Sequence, residues 1–135
     1  MQQKDYALWH PIKVRLNAIP GSVFFHEREV WWCAIGENVG FEQDGTSPLF
    51  TRPVLILKKF SADTCLIVPL TTKAKKGKHY FPLGVVARSE AVALLSQIRS
   101  IDRRRLTSKL ATVDKDTFQM LVKAIIATCL PSLDT

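Results

Sequence analysis

The sequence predicts a mainly β (α+β) domain: a small, strongly bent sheet or barrel with an N-terminal helical extension and a C-terminal helix. Three observations carry this expectation. Short runs rich in β-branched and aromatic residues recur at close spacing through the middle of the chain. An apolar stripe of helical period lies near each end. The chain has 135 residues and is 47% apolar, enough for one domain with an ordinary core.

In chain order, Tyr6, Trp9, Ile12 and Leu16 mark one face of a helix within residues 4–19. Pro11 predicts a break there, or a helix whose first turn begins near it. "IPGS" at 19–22 reads as a turn, so residues 1–24 are taken as an extension and residues 25–135 as the barrel domain. "EVWWCAIG" (29–36), "RPVLILKKF" (52–60), "TCLIVPLTT" (64–72), "HYFPLG" (79–84) and "EAVALLSQIRSID" (90–102) are the candidate strands. "SADT" is a connection of hairpin length between the second and third. Pro69 and Pro82 point to edges or bulges. Asp114 caps a helix running to about Thr128. Phe118, Leu121, Val122, Ile125 and Ile126 form its apolar face, and Pro131 follows its end.

Composition narrows the function. A formal charge of +7 and a pI near 9.6 point to a polyanionic partner, nucleic acid or an acidic protein. Cys33, Cys65 and Cys129 are widely spaced among apolar neighbours and read as small buried hydrophobes in a reducing, cytoplasmic setting. His10, His26 and His79 lack ligand spacing, so no metal is expected. The first residues, "MQQKDYALWHPIK", hold no apolar core of signal-peptide length, and no run of about 18 apolar residues suited to a membrane occurs.

Four stretches could carry chemistry. In "FTRPVLILKK", Pro53 biases Arg52 toward an extended conformation at a strand entry. Its guanidinium can be held rigid to face a phosphate with two donors, or it can pair with Glu37, Glu42 or Asp44. In "VPLTTKAKKGKH", Thr71 and Thr72 close a strand and open a basic loop. Their hydroxyls can donate to phosphate oxygens. Lys73, Lys75, Lys76 and Lys78 can supply counter-charge, or solvate a hairpin tip. "NVGFEQDGTSPLFTRP" is a long loop that carries Glu42 and Gln43, and a carboxylate near an arginine is a proton-transfer pair or a plain ion pair. "SQIRSIDRRRL" places Arg99 and Arg103 to Arg105 near a strand end, the triple arginine as a short helical or turn surface.

"EVWW", "NVGFEQDG", "RPVLIL", "VPLTT" and "QIRSID", in this order, resemble the MazF/PemK family of toxin endoribonucleases from type II toxin–antitoxin pairs. The resemblance spans about residues 27 to 130. It implies a small SH3-like β-barrel of the MazF/PemK/CcdB type, usually a homodimer. It implies metal-free, cofactor-free cutting of single-stranded mRNA at short sequences, by attack of a ribose 2′-OH that leaves a 2′,3′-cyclic phosphate and a 5′-OH. The family's key arginine falls on Arg52, its threonine on Thr71 and its Glu-Gln glutamate on Glu42. Gln43, Thr72, Lys73, Lys75, Lys76, Gln97 and Arg99 are the expected RNA contacts. Phe41 and Ser96 stand where some PemK-type members carry histidine and aspartate, which favours a pattern built on Arg52 and Thr71. An acidic, partly disordered cognate antitoxin is the expected protein partner. The competing readings are a gyrase-directed toxin of CcdB type and a non-catalytic binding module. The first relies on an apolar Trp-Gly-Ile tail, whereas this chain ends "PSLDT".

Overall fold

A computed structural model describes residues 4–18, 23–39, 44–45 and 50–133. Helix α1 (Tyr6–Ala18) is followed by strands β1 (Glu29–Ala34), β2 (Thr51–Lys59), β3 (Thr64–Thr71), β4 (Tyr80–Val86), β5 (Ser89–Leu94), β6 (Arg99–Asp102) and β7 (Leu106–Thr112), and then by helix α2 (Lys115–Cys129). The strands form one antiparallel sheet in the order β4-β5-β3-β2-β1-β7, with β6 also on β3. The sheet curls into a half-barrel, and this is the mainly β architecture with helices at both ends that the sequence predicts.

Strand β2 shows why the aliphatic run at 54–57 is continuous. Val54 and Ile56 join a core layer with Phe25, Cys33, Ile67 and Ile101. Leu55 enters a second layer with Val68, Leu70, Leu95 and Leu121 of α2. A strand buried on both faces alternates sides without alternating polarity. The hairpin from β2 to β3 closes as expected, with the Phe60 N–H donating to the Thr64 carbonyl at 3.1 Å.

Strand β3 positions everything else. On one side it pairs with β2 in the registers Val54↔Pro69 and Ile56↔Ile67. Its other side is shared. Thr64–Ile67 pair with β6, and Leu70 and Thr71 pair with β5. Pro69 falls between these two spans, inside the sheet and not at an edge or bulge. Its missing N–H costs little where neither β5 nor β6 takes a partner. Pro82 matches the expectation: β4 is an edge strand, and its ladder slips between Pro82 and Gly84.

Several expectations need correcting. The single strand at 90–102 is two strands, because a 3₁₀ turn at Leu95–Gln97 steps the chain from one partner span of β3 to the other. Strand β7 was not foreseen. Its Leu106 is buried and its Leu110 and Ala111 partly so, but exposed Thr107, Ser108 and Lys109 hide the apolar pattern. Helix α1 starts five residues before Pro11 and runs through it, capped by Asp5, whose Oδ1 accepts the Leu8 N–H at 3.3 Å. Packing of Trp9, with Ile12 and Leu16, against Ala34 and Phe50 compensates for the lost backbone bond. Cys129 is exposed, unlike Cys33 and Cys65. Ile126 is exposed on α2, whereas the Asp114 cap is as expected, with Oδ2 accepting the Thr117 N–H at 3.0 Å. No helix among the described residues is long and apolar enough to cross a membrane.

Candidate active site

Arg52 is the second residue of β2, opposite Cys33 of β1. The β2–β3 register, carried two residues past Val54↔Pro69, sets Arg52 across from Thr71. The guanidinium is anchored at both ends. Its Nε–H donates to the Asp44 carbonyl at 2.9 Å and Nη1 donates to the Leu70 carbonyl at 3.1 Å. A guanidinium has five N–H donors in a fixed plane. Those beyond these two bonds find no acceptor among the described residues. Burial lowers the pKa of Arg52, and the Asp44 charge works against that shift. The group stays cationic, half-buried and rigid. This is the geometry that offers a two-pronged donor to an anion.

Thr71 ends β3 next to that arginine and is nearly buried, at 8% exposure. Its Oγ1 accepts the Lys73 N–H at 3.2 Å, which leaves the hydroxyl proton to donate elsewhere. Thr72 to His79 are all exposed. This basic segment is not a hairpin tip. It carries the chain from β3 past β5 to the edge strand β4. Gly77 takes φ +133° in its turn, a value that favours glycine. Lys73, Lys75 and Lys76 therefore leave directly from the Arg52–Thr71 end.

The other expected site residues are placed as follows. Glu42 and Gln43 lie outside the described residues. Gln97 sits in the 3₁₀ turn between β5 and β6. Arg99 pairs with Ile67 on β3, four residues from Thr71 and so about 13 Å along the strand. Of the carboxylates weighed against Arg52, Asp44 meets it, but through its backbone carbonyl. Its side chain is bound elsewhere, accepting the Asn38 N–H at 2.6 Å and pairing with Lys4. Glu29, a buried carboxylate that sequence reasoning passed over, is saturated by Trp31 Nε1 at 3.0 Å, the His26 N–H at 2.8 Å and Lys109 at 3.1 Å.

Sequence reasoning also missed Arg105. The triple arginine is a turn, as expected, but its members differ. Arg104 chelates Asp102 from both Nε and Nη2. Arg105 turns inward, donates to the Ala34 carbonyl at 3.0 Å and lies 5.9 Å from the Trp9 ring centre. Burial, then the nearby Arg99 charge, lowers its pKa. No spacing rule separates this arginine from its two neighbours, since its inward contacts come from β1 and α1, far away in the chain.

A family model described as a PemK-like, MazF-like toxin of a type II toxin-antitoxin system matches residues 26–128. The chain belongs to this family. Among relatives of this MazF-like toxin, Endoribonuclease EndoA of Bacillus subtilis (strain 168) is 28% identical over 102 residues, covering 72% of this chain and 87% of that protein. The solved structure of MazF from Deinococcus radiodurans (Form-I) superposes with a TM-score of 0.66 at 21% identity, over 78% of this chain and 96% of the other. A mycobacterial endoribonuclease in complex with its cognate antitoxin gives 0.59 at 17% identity, over 81% and 99%. At these identities the structures establish the shared fold. Helix α1 lies before the part of the toxin that the family model matches.

Proposed function

We propose that this toxin is a metal-independent, sequence-specific endoribonuclease that cuts single-stranded mRNA, with residues 25–135 as the catalytic domain. The observation that carries the reading is Arg52. It is tied by Asp44 and Leu70, with further donors unmatched among the described residues, beside the Thr71 hydroxyl and at the root of the lysine loop. Membership in the toxin family and the name of the EndoA relative support the same class.

In this reading Arg52 grips the scissile phosphate and Thr71 donates to one of its oxygens. The ribose 2′-oxygen attacks phosphorus, the P–O5′ bond breaks, and a 2′,3′-cyclic phosphate and a 5′-OH are left. The 2′-OH proton goes to a base, for which Glu42 is the candidate unless it serves to orient Arg52, and the leaving O5′ takes a proton from solvent water. Arg52 stabilises the extra charge on the phosphorane-like transition state, where a prepositioned fork acts with little reorganisation. Thr72, Lys73, Lys75 and Lys76 guide the backbone, and Gln43, Gln97 and Arg99 contact RNA farther along. Single strands suit such a site because their unstacked bases expose their edges. The active form is a homodimer in the cytoplasm, and an acidic antitoxin segment that complements the +7 charge blocks it.

The deciding test is digestion of a long single-stranded RNA in EDTA by wild-type protein and Arg52→Ala. Discrete fragments with cyclic-phosphate ends, made only by the wild type, are expected. Cleavage that EDTA stops would overturn the metal-independent step. No cleavage by either protein would turn the reading to a binding module or a protein-directed toxin.

A further inference from the structure

We propose that α1 is a built-in clamp that positions Arg52 by holding the connection between β1 and β2. This rests on Arg52 being the phosphate-gripping group. One of its two anchors, the Leu70 carbonyl, belongs to a strand and is fixed by the sheet. The other, the Asp44 carbonyl, belongs to a connection that runs from Ala34 to Thr51. Something other than the sheet has to hold Asp44 in place.

Helix α1 reaches that connection at successive points. Lys4, just before its first turn, pairs with the Asp44 carboxylate. The Tyr6 hydroxyl donates to the Asn38 carbonyl at 3.0 Å, and the Asn38 N–H in turn donates to Asp44 at 2.6 Å. Trp9 is 6% exposed and packs against Gly36, so close that a Cβ on Gly36 would lie 2.1 Å from its Cε2. Its ring also meets Phe50 at 5.6 Å. The connection is drawn together beneath these contacts. The Gly45 N–H donates to the Gly36 carbonyl at 2.8 Å, and the Gly36 N–H to the Phe50 carbonyl at 3.1 Å. The path from Lys4 to Asp44 to Arg52 is therefore two contacts long. Behind the helix, Arg105 backs Trp9, and Arg104 donates to the Asn17 carbonyl at 2.7 Å, which fixes the far end of α1 to the barrel. Lys4 and Tyr6 are positioning residues: they act on the reaction through Asp44 and Arg52.

The test compares Lys4→Met/Tyr6→Phe with wild type and with Lys4→Arg. The first readout needs no activity. It is solvent exchange of the Arg52 Nε–H and of the Asn38 and Gly45 amides, followed by NMR. The double variant should speed these about tenfold and leave Ile67 in β3 unchanged, while Lys4→Arg matches wild type. In cleavage assays kcat should fall about tenfold with KM within about twofold, the pattern of a misplaced reacting group. The salt slope of RNA binding should not move. Unchanged Arg52 Nε–H exchange overturns the clamp. So does faster exchange with an unaltered kcat in an active enzyme. A raised KM with a shallower salt slope would make Lys4 an RNA contact instead. If the wild type cuts no RNA, the nuclease reading falls, and the exchange result alone decides whether α1 holds Arg52.

Discussion

Arg52 draws its chemical capacity from being held, not from being charged, since the chain carries 19 lysines and arginines. Both anchors are backbone carbonyls, so the guanidinium is oriented without being neutralised. Arg52→Ala should cut the cleavage rate by at least about 10³-fold, since it removes the main charge-stabilising donors, while circular dichroism stays native. Arg52→Lys should recover only a small part of that, because an ammonium cannot reach both carbonyls and a phosphate. An unfolded Arg52→Ala protein would recast the residue as structural. Asp102 illustrates the opposite use of charge. Hydrogen bonds from Arg104 hold its carboxyl down at about 2. A depressed carboxylate stabilises the fold above its unfolded value near 4, and that contribution fades as pH falls through about 2. Asp102→Asn should therefore be less stable than wild type at pH 6, with the gap closing by pH 2. A gap that persists unchanged in acid would show that Asp102 works through its shape and hydrogen bonding alone.

Among the elements, the segment between β3 and β4 and the connection between β1 and β2 carry the site, and each invites a substitution. Replacing Lys73, Lys75 and Lys76 by glutamine should weaken binding of single-stranded RNA and lower the slope of log K against log salt by about 2, some 0.7 per lost phosphate contact. An unchanged slope would take that segment off the RNA path. Gly36→Ala should destabilise the fold by about 2–5 kcal/mol in urea titrations. It forces an alanine to φ +79° and drives its methyl into Trp9. A loss below about 0.5 kcal/mol would mean that α1 detaches freely. These elements were unequally legible. The run at 54–57 and the Asp114 cap each declare a local rule, and both elements formed within a residue or two of the expected bounds. The Arg-Pro pair likewise marked a strand entry. Strand β7 was hidden because its outward residues are polar and its inward ones meet β1, which lies more than 70 positions earlier in the chain. The division of 90–102 depends on β3 offering its edge in two spans, and the inward turn of Arg105 depends on α1. Neither is a property of any local window.

For the whole molecule, the question is whether the half-barrel opens as one unit. The two core layers share β1, β2 and β3, so neither can come apart without exposing the other. The three cysteines sample this arrangement. Cys33 and Cys65 lie in the first layer at 0% exposure, and burial pushes their thiols up to about 12 and about 11. At pH 8 a thiol near 12 is about one part in ten thousand thiolate, and it has no path to solvent as well. Cys129 stands exposed at the end of α2, its Sγ donating to the Leu95 carbonyl at 3.2 Å. Alkylation of native protein at pH 8 should therefore modify Cys129 rapidly. Cys33 and Cys65 should react together, and only at the rate of global unfolding. For a domain stable by about 5–15 kcal/mol, that is slower by three orders of magnitude or more. Mass spectrometry of peptides from a time course in rising urea separates the sites. If Cys33 and Cys65 acquire label with the denaturant dependence of the circular dichroism transition, the sheet opens cooperatively. If Cys65 is labelled early and without that dependence, the β3–β6 edge opens alone, and the site end of β3 would have to be held by β2 and β5.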